Sequence, residues 1–194
     1  MILQGEKQGM YCLSQTAQEA FIHACRNPDQ RLLELLLLHP SSRPTGFVNV
    51  HSTWSEGGQT TTGFVEACKF GACKVNLLLR LRGRRRIDVH WGSDAALCAA
   101  CKDFQACVVL RLLRLDGDRR MDLTTNLGEK LFVSGCESVG GHVIVKAILP
   151  RVSAAAVRKG IAAATAAGGT ERMRLVRHIL QHCGQKRLPS SEEL

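Results

Sequence analysis

The amino-acid sequence predicts an all-α fold in which helix–turn–helix units follow one another as a solenoid, joined by short hairpin or extended loops. A five-residue motif ending in cysteine recurs as "FIHAC", "FVEAC", "LCAAC" and "FVSGC". Its cysteines, Cys25, Cys68, Cys101 and Cys136, are 43, 33 and 35 residues apart. A period in this range is typical of repeat proteins, whose units bury one another's apolar faces.

The second helix of each unit is predicted from an aliphatic run that follows the cysteine. These runs begin at Leu32, Val75, Val108 and Val143. Their apolar positions recur at the spacing of one helical face. A fifth copy, "ATAAG" at 164–168, has Gly168 in the position of the cysteine, and its aliphatic run begins at Leu175.

The segments between the units share a third pattern. They read "GFVNVH" at 46–51, "GRRRIDVH" at 83–90 and "GDRRMDLT" at 117–124. Asn49, Asp88 and Asp122 hold matching positions, where an Asn or Asp side chain tightens a turn toward the next helix. The first joining segment also contains an insertion, "PSSRPTG" and "SEGGQTT", which we expect to form a longer exposed loop.

The helix pair, the turn and the period together resemble the ankyrin repeat. The family pattern T-P-L-H-x-A-A-x-x-G…V-V-x-x-L-L lies over residues 95–101 and the aliphatic run from Val108 to Leu113. Gly71 holds the mid-repeat glycine, and Phe104 stands in its place in the next copy. The resemblance covers roughly residues 15–182. It implies divergent ankyrin repeats at about 17–45, 60–91, 94–126, 129–159 and 161–182.

The chain ends and the expected location follow from composition. Residues 1–14 are expected to be a leader or cap, and residues 183–194 a flexible C-terminal tail. The first residues lack the apolar core of a signal peptide, and no apolar run reaches the ~18 residues of a membrane span. We therefore expect an intracellular protein, cytoplasmic or nuclear, whose nine cysteines are reduced.

Three interpretations of the cysteines are open. Cys98-x-x-Cys101, with Cys107 and His90, has the residue types of a zinc site, and a reactive thiol is a second alternative. The third is packing, because a small apolar-tolerant residue recurs where helices approach each other and a thiol behaves as a small hydrophobe. The recurrence of the Cys101 position in four copies favours packing.

The basic residues also have two interpretations. The formal net charge is +9, and "RLRGRRR" at 80–86 contains five arginines. These arginines could recognise carboxylates or phosphates. In the alternative interpretation, Arg85 and Arg120 belong to the repeat itself and pair with neighbouring aspartates, and the recurrence of the arginine pair favours this for these two residues. Trp54 and Trp91 likewise fit either binding anchors or covers over a neighbouring repeat.

The predicted function is non-catalytic. We find no phosphate loop, H-E-x-x-H or G-x-S-x-G motif, and we expect no cofactor, no metal and no small-molecule substrate. The ankyrin resemblance implies a protein-interaction scaffold that binds its partner through its concave face and its Arg-rich hairpin loops. The net charge favours an acidic partner. Binding of nucleic acid or anionic lipid through the same basic residues is the alternative. The candidate partner-binding residues are His23, Glu66, Lys69, Arg84, Arg85, Trp91, Ala99, Lys102, Arg119, Arg120 and Ser134.

Overall fold

The computed structural model describes residues 17–38, 48–56, 58–138 and 140–185, and most of these residues are helical. The predicted all-α class is therefore confirmed at that level. The chain divides into two compact units, Met1–Arg111 and Leu112–Leu194. The predicted single repeat domain over 15–182 stays a prediction. The predicted leader at 1–14 lies outside the described residues.

The first unit contains helices in pairs. The helices are α1 (17–26), α2 (Arg31–Leu38), α3 (Gly63–Phe70), α4 (Ala72–Leu79), α5 (Trp91–Lys102) and α6 (Ala106–Leu113), which runs across the boundary between the units. A short 3-10 turn, Gly83–Arg85, precedes α5. Helix α3 packs against α4 and against α5.

The recurring cysteines of the first unit lie in its core. Cys25, Cys68 and Cys101 are all buried, which confirms the packing prediction for these positions. Helices α1 and α3 also approach each other closely. A Cβ atom added at Gly63 would lie 2.3 Å from Cε1 of Phe21, so α3 begins in contact with α1. Small side chains are required where helices approach this closely.

The stretch "SEGGQTT" is exposed at Ser55 and at 58–60, as predicted, but it forms a β-hairpin, so the predicted loop conformation is wrong. Strands β1 (Thr53–Glu56) and β2 (Gln59–Thr62) pair antiparallel with Thr53 opposite Thr62. Successive threonines favour a strand since their branched side chains fit a pleated surface. Thr62 then ends the hairpin as the N-cap of α3, where its Oγ1 accepts a hydrogen bond from Val65 N at 3.3 Å. The companion insertion "PSSRPTG" at 40–46 lies outside the described residues.

The predicted Asn and Asp turns are present in both units. Asn49 Oδ1 accepts a hydrogen bond from the backbone N–H of His51 at 3.0 Å. Asp88 Oδ1 does the same for His90, and Asp122 Oδ1 for Thr124, both at 2.9 Å. Hydrogen bonds from the Thr124 side chain and backbone lower the pKa of Asp122. The repeated Asn or Asp therefore forms one local structure three times.

The second unit has four helices among its described residues. They are α7 (Asn126–Glu137), α8 (His142–Ile148), α9 (Ala154–Ala167) and α10 (Thr170–Gln185), with 3-10 turns at Gly117–Arg119 and Leu149–Arg151. Helix α7 packs against α9. A Cβ atom at Gly160 would lie 2.5 Å from the Phe132 ring and 3.0 Å from Cys136 Sγ. Cys136 is fully buried there, so the fourth cysteine also packs between helices.

The fifth copy is misplaced in the sequence prediction. Helix α9 begins at Ala154, so the predicted boundary between 159 and 161 falls inside a helix. Gly168 does not occupy a packing position. It ends α9 with φ of 65°, and a Cβ atom added there would meet no other atom within 4 Å. Ala164 is a fully buried small residue of this helix. Helix α10 continues to Gln185, past the predicted start of the tail at 183; residues 186–194 lie outside the described part.

We predict that Cys68→Leu destabilises the protein, because a side chain with two more non-hydrogen atoms would overfill a fully buried site. Overpacking of this kind costs about 1–3 kcal/mol. Cys73→Leu is the matched control on the neighbouring helix, where Cys73 is exposed, and surface changes stay within about 0.5 kcal/mol. Urea unfolding followed by circular dichroism compares the two. Equal midpoints would contradict the packing role.

Candidate partner-binding surface

Residues 80–86, here called the arginine turn, connect α4 to the segment before α5. Arg80 ends α4, and Gly83 opens the 3-10 turn with φ of 57°, a backbone region that glycine adopts readily. Arg80, Arg82 and Arg84 are exposed. None of these three side chains forms a hydrogen bond or ion pair within the part of the chain that the structure describes. Their charges are therefore available to a ligand.

Arg85 has a structural contact that Arg80, Arg82 and Arg84 lack. Its Nη1 donates a hydrogen bond to the carbonyl oxygen of Leu37, in the last turn of α2, at 3.1 Å. A cation at this end of a helix satisfies an orphan carbonyl and faces the negative end of the helix dipole. Burial lowers the pKa of Arg85. The predicted aspartate partner of Arg85 is wrong, since a backbone carbonyl takes that place.

A small cleft lies beside the arginine turn within the first unit. It has a volume of about 160 Å³ and is here called the Trp91 cleft. Its apolar lining comes from the buried side chains of Val50, Phe64 and Ile87. The exposed His51 also lines it, and His51 Nε2 donates to the carbonyl oxygen of Arg84 at 3.0 Å. This hydrogen bond ties the cleft to the arginine turn.

An unusual backbone turn follows Trp91, which is half-buried and lines the cleft. Gly92, Ser93 and Asp94 all have positive φ, at 62°, 57° and 63°. The left-handed conformation costs a non-glycine residue on the order of 1 kcal/mol. Asp94 Oδ1 lies 2.6 Å from His90 Nδ1, and this contact braces the turn. The turn sets the position of Trp91 before the regular part of α5 begins.

Glu66, a predicted surface residue, is instead the centre of a buried polar cluster. Its side chain accepts hydrogen bonds from Arg26 Nε at 3.1 Å, Lys69 Nζ at 2.7 Å and Thr61 Oγ1 at 2.8 Å. Burial opposes the charge on Glu66. The hydrogen bonds from Lys69, Thr61 and Arg26 and the charge of Lys69 outweigh it, so the pKa of Glu66 lies below its ordinary value of 4.5.

The structure places the remaining predicted residues in several environments. Ala99 is buried in α5, so its side chain does not reach the surface. His23 and Lys102 are exposed in the first unit, and Arg120 and Ser134 are exposed in the second. Arg119 is half-buried. Within the first unit, the arginine turn and the Trp91 cleft therefore bring Arg84 and Trp91 into one local region, whereas Glu66 and Lys69 are tied to each other.

Lys74 is a buried cation that sequence reasoning missed. Only 3% of its surface is exposed, and its Nζ donates to the carbonyl oxygen of Cys25 at 2.9 Å, near the end of α1. The Phe70 ring centroid lies 5.6 Å from the same Nζ, within cation–π range. Burial lowers the pKa of Lys74. The lysine falls in the "ACKVNLLL" helix, where the apolar spacing alone gives no sign of a buried charge.

Arg172, in the second unit, also donates hydrogen bonds to carbonyl groups at helix ends. Its Nε donates to the carbonyl oxygen of Glu137 at 2.7 Å. Its Nη1 donates to the carbonyl oxygens of Ala167 at 3.2 Å and Gly168 at 3.1 Å. One guanidinium thus satisfies carbonyls at the ends of both α7 and α9. Some of the net positive charge is therefore used inside the fold.

The cysteines differ sharply in accessibility. Burial raises the pKa of Cys25, Cys101 and Cys136 to about 12 and also raises that of Cys68. Among the residues that the structure describes, no group of three or more His, Cys, Asp or Glu side chains is placed to hold a metal ion. The described cysteines at the surface are Cys73 and Cys107, and Cys98 is intermediate.

No family profile, curated protein sequence or solved structure matches the chain. Within the described ranges, none of the helices has the length and apolar character needed to cross a lipid bilayer.

We predict that Glu66→Gln destabilises the protein near neutral pH by about 1–3 kcal/mol, because charged hydrogen bonds are lost from a buried site. The folded-state pKa of Glu66 is lowered, so the unfolded chain takes up the proton first as the pH falls. The stabilisation of the wild-type protein by the Glu66 carboxylate is therefore present above about pH 4.5 and is lost as the pH falls below that value. Urea unfolding between about pH 7 and pH 3 should show the difference between wild type and variant shrinking.

The control for this experiment is Glu171→Gln. Glu171 pairs with Arg174 at the surface, with about two-thirds of each side chain exposed, and such pairs contribute little. Its effect should be small at every pH. A Glu66→Gln difference that stays constant down to about pH 3 would contradict the predicted role of the carboxylate.

We also predict selective thiol labelling. With Ellman's reagent near pH 8, Cys73 and Cys107 should react quickly, whereas Cys25, Cys68, Cys101 and Cys136 should react only after denaturation. The thiolate is the reactive form, and a pKa of about 12 leaves only about one thiol in 10,000 ionised at that pH. Peptide mapping identifies the labelled sites, and a Cys73→Ser/Cys107→Ser variant should lose the fast signal from both. Fast native labelling at any of the four buried positions would contradict the prediction.

Proposed function

We propose that the chain is a non-catalytic protein-interaction module, built from divergent ankyrin repeats, that binds an acidic protein segment through the arginine turn of its first unit. The single observation that carries the proposal is the set of three exposed arginines, Arg80, Arg82 and Arg84, without partners among the described residues. Arginine guanidinium groups match carboxylates in shape and hydrogen-bonding capacity.

The repeat assignment is supported by local structure. Helix pairs such as α3–α4 and α7–α8 carry the recurring cysteine in the buried part of their first helix. The turns at Asn49, Asp88 and Asp122 repeat one hydrogen bond in three copies. A solenoid arrangement and an intracellular location belong to this proposal.

A protein partner fits the composition better than nucleic acid. Only 5% of residues are aromatic, which provides few side chains on which bases could stack. Trp91 and the Trp91 cleft lie next to the arginine turn, and tryptophan and arginine are the residue types enriched at the centres of protein interfaces. Lys102 and His23 provide further exposed polar positions in the same unit.

The proposal predicts that reversing the arginine turn, as Arg80→Glu/Arg82→Glu/Arg84→Glu, weakens binding of a fluorescent poly-glutamate peptide roughly tenfold or more. Each substitution replaces an attraction between an exposed arginine and the peptide carboxylates, of a few tenths to about 1 kcal/mol, with a repulsion. Fluorescence anisotropy measures the affinity, and circular dichroism checks that the variant is folded. The salt dependence of binding should also become shallower.

The matched control is Lys146→Glu/Arg151→Glu/Arg158→Glu in the second unit. These three residues are also exposed, and the control changes the net charge by the same amount. It should bind the peptide almost as tightly as wild type. Equal weakening by both triple variants would refute the assigned surface. Tight, steeply salt-dependent binding of random duplex DNA or phosphatidylserine vesicles, with no binding of the peptide, would identify a different class of ligand.

A further inference from the structure

We propose that the Trp91 cleft receives one apolar side chain of the acidic segment that the arginine turn binds. This inference rests on the proposed function and adds the identity of the segment's anchor. The bound segment would carry one large aliphatic or aromatic residue with acidic residues on either side. The cleft and the arginine turn are adjacent, because His51 lines the cleft and its Nε2 donates to the Arg84 carbonyl oxygen at 3.0 Å.

The volume of the cleft limits which chemical groups can enter it. Pockets for drug-sized ligands and cofactors typically have volumes of about 300–1,000 Å³. The Trp91 cleft measures about 160 Å³, which is about the space of one large side chain. Val50, Phe64 and Ile87 give it an apolar lining that a carboxylate would not enter favourably. The apolar part of a ligand would therefore enter the cleft, and its acidic part would remain outside.

Polar groups at the opening can bind the backbone of such a segment. Asp88 is exposed and lines the cleft, and its Oδ1 already accepts the N–H of His90. Its second carboxylate oxygen can accept an N–H from an extended peptide. The half-buried Trp91 offers an indole N–H that makes no hydrogen bond within the described residues. One donor and one acceptor beside an apolar cavity match a peptide bond flanking an anchor residue.

The backbone around Trp91 supports a binding role. Ser93 and Asp94 hold left-handed conformations that are unfavourable for residues with a side chain. Strained residues of this kind persist where the surrounding structure fixes them, and they are concentrated at functional sites. Here the strain fixes a tryptophan at the edge of a cleft. Aromatic anchors seated beside arginines commonly dominate the affinity of protein interfaces.

The test uses two acidic peptides that differ only at their centre, one with Leu and one with Ala, each flanked by Asp and Glu. Anisotropy titrations with the full chain should show the Leu peptide binding roughly tenfold or more tightly, as expected when one Leu side chain is buried. The chain has two tryptophans, so nitrogen-15 NMR resolves two indole N–H signals. The Trp91 signal should move with the Leu peptide, and that of Trp54, which is not part of the cleft, should not.

Two variants localise the effect. Trp91→Ala should remove the preference for Leu over Ala while retaining binding of the Ala peptide through the arginines. Trp54→Phe identifies the Trp54 signal and should retain the preference. The wild-type titration decides the question even if Trp91→Ala fails to fold, because the peptide comparison and the indole signals require no substitution.

The outcomes separate this inference from the proposed function. Tighter binding of the Leu peptide with movement of the Trp91 signal supports both. Equal binding of the two peptides, weakened by the arginine-turn reversal, overturns the cleft inference and leaves the acidic-partner proposal standing. A Leu preference without movement of the Trp91 signal also overturns the cleft inference. Absence of binding by both peptides at about 1 mM, a standard free energy weaker than about −4 kcal/mol, overturns both.

Discussion

The close approach of helices at small residues is the constraint on which each unit depends. In the first unit, Gly63 lets α3 begin against the Phe21 ring, and in the second, Gly160 lets α9 lie against Phe132. The recurring cysteines are buried too, and Cys136 lies beside Gly160, where a thiol fills space without separating the helices. This explains why a residue with reactive chemistry can recur four times for a purely geometric reason. Burial keeps those thiols protonated, so packing and chemical inertness have one cause.

Close packing also buries helix ends, whose last carbonyls have no partner within the helix. Cations from elsewhere in the chain satisfy several of them. Lys74 serves α1, Arg85 serves α2, and Arg172 serves α7 and α9. The net charge of +9 is therefore a poor measure of the surface offered to a ligand. Two neighbours in the arginine turn show the difference. Arg85 donates a hydrogen bond to the end of α2, whereas Arg84 is exposed to solvent.

Sequence patterns predicted what depends on local, repeated signals. The cysteine positions and the Asn and Asp turns recur with the same neighbours, so their roles could be inferred copy by copy. The hairpin at 53–62 was missed because its short Thr-rich strands lie inside an insertion that no other copy shares. Glu66 accepts a hydrogen bond from Arg26, 40 residues earlier, and no local pattern records that contact. The Trp91 cleft could not be predicted from the sequence either, because its lining comes from three separate stretches of chain.

The composition of α9 has a consequence for the order in which the second unit folds. Eight of its 14 residues are alanine, the residue with the highest intrinsic helix propensity, whereas Gly160 lowers that propensity by about 1 kcal/mol. Its partners α7 and α10 are near in sequence, so the contacts that fix it close short loops, which favours rapid folding. The glycine that weakens α9 as an isolated helix is the residue that admits Phe132. We therefore expect α9 to become fully helical when it packs against α7 and α10, so that the helix gains its stability as its packing forms.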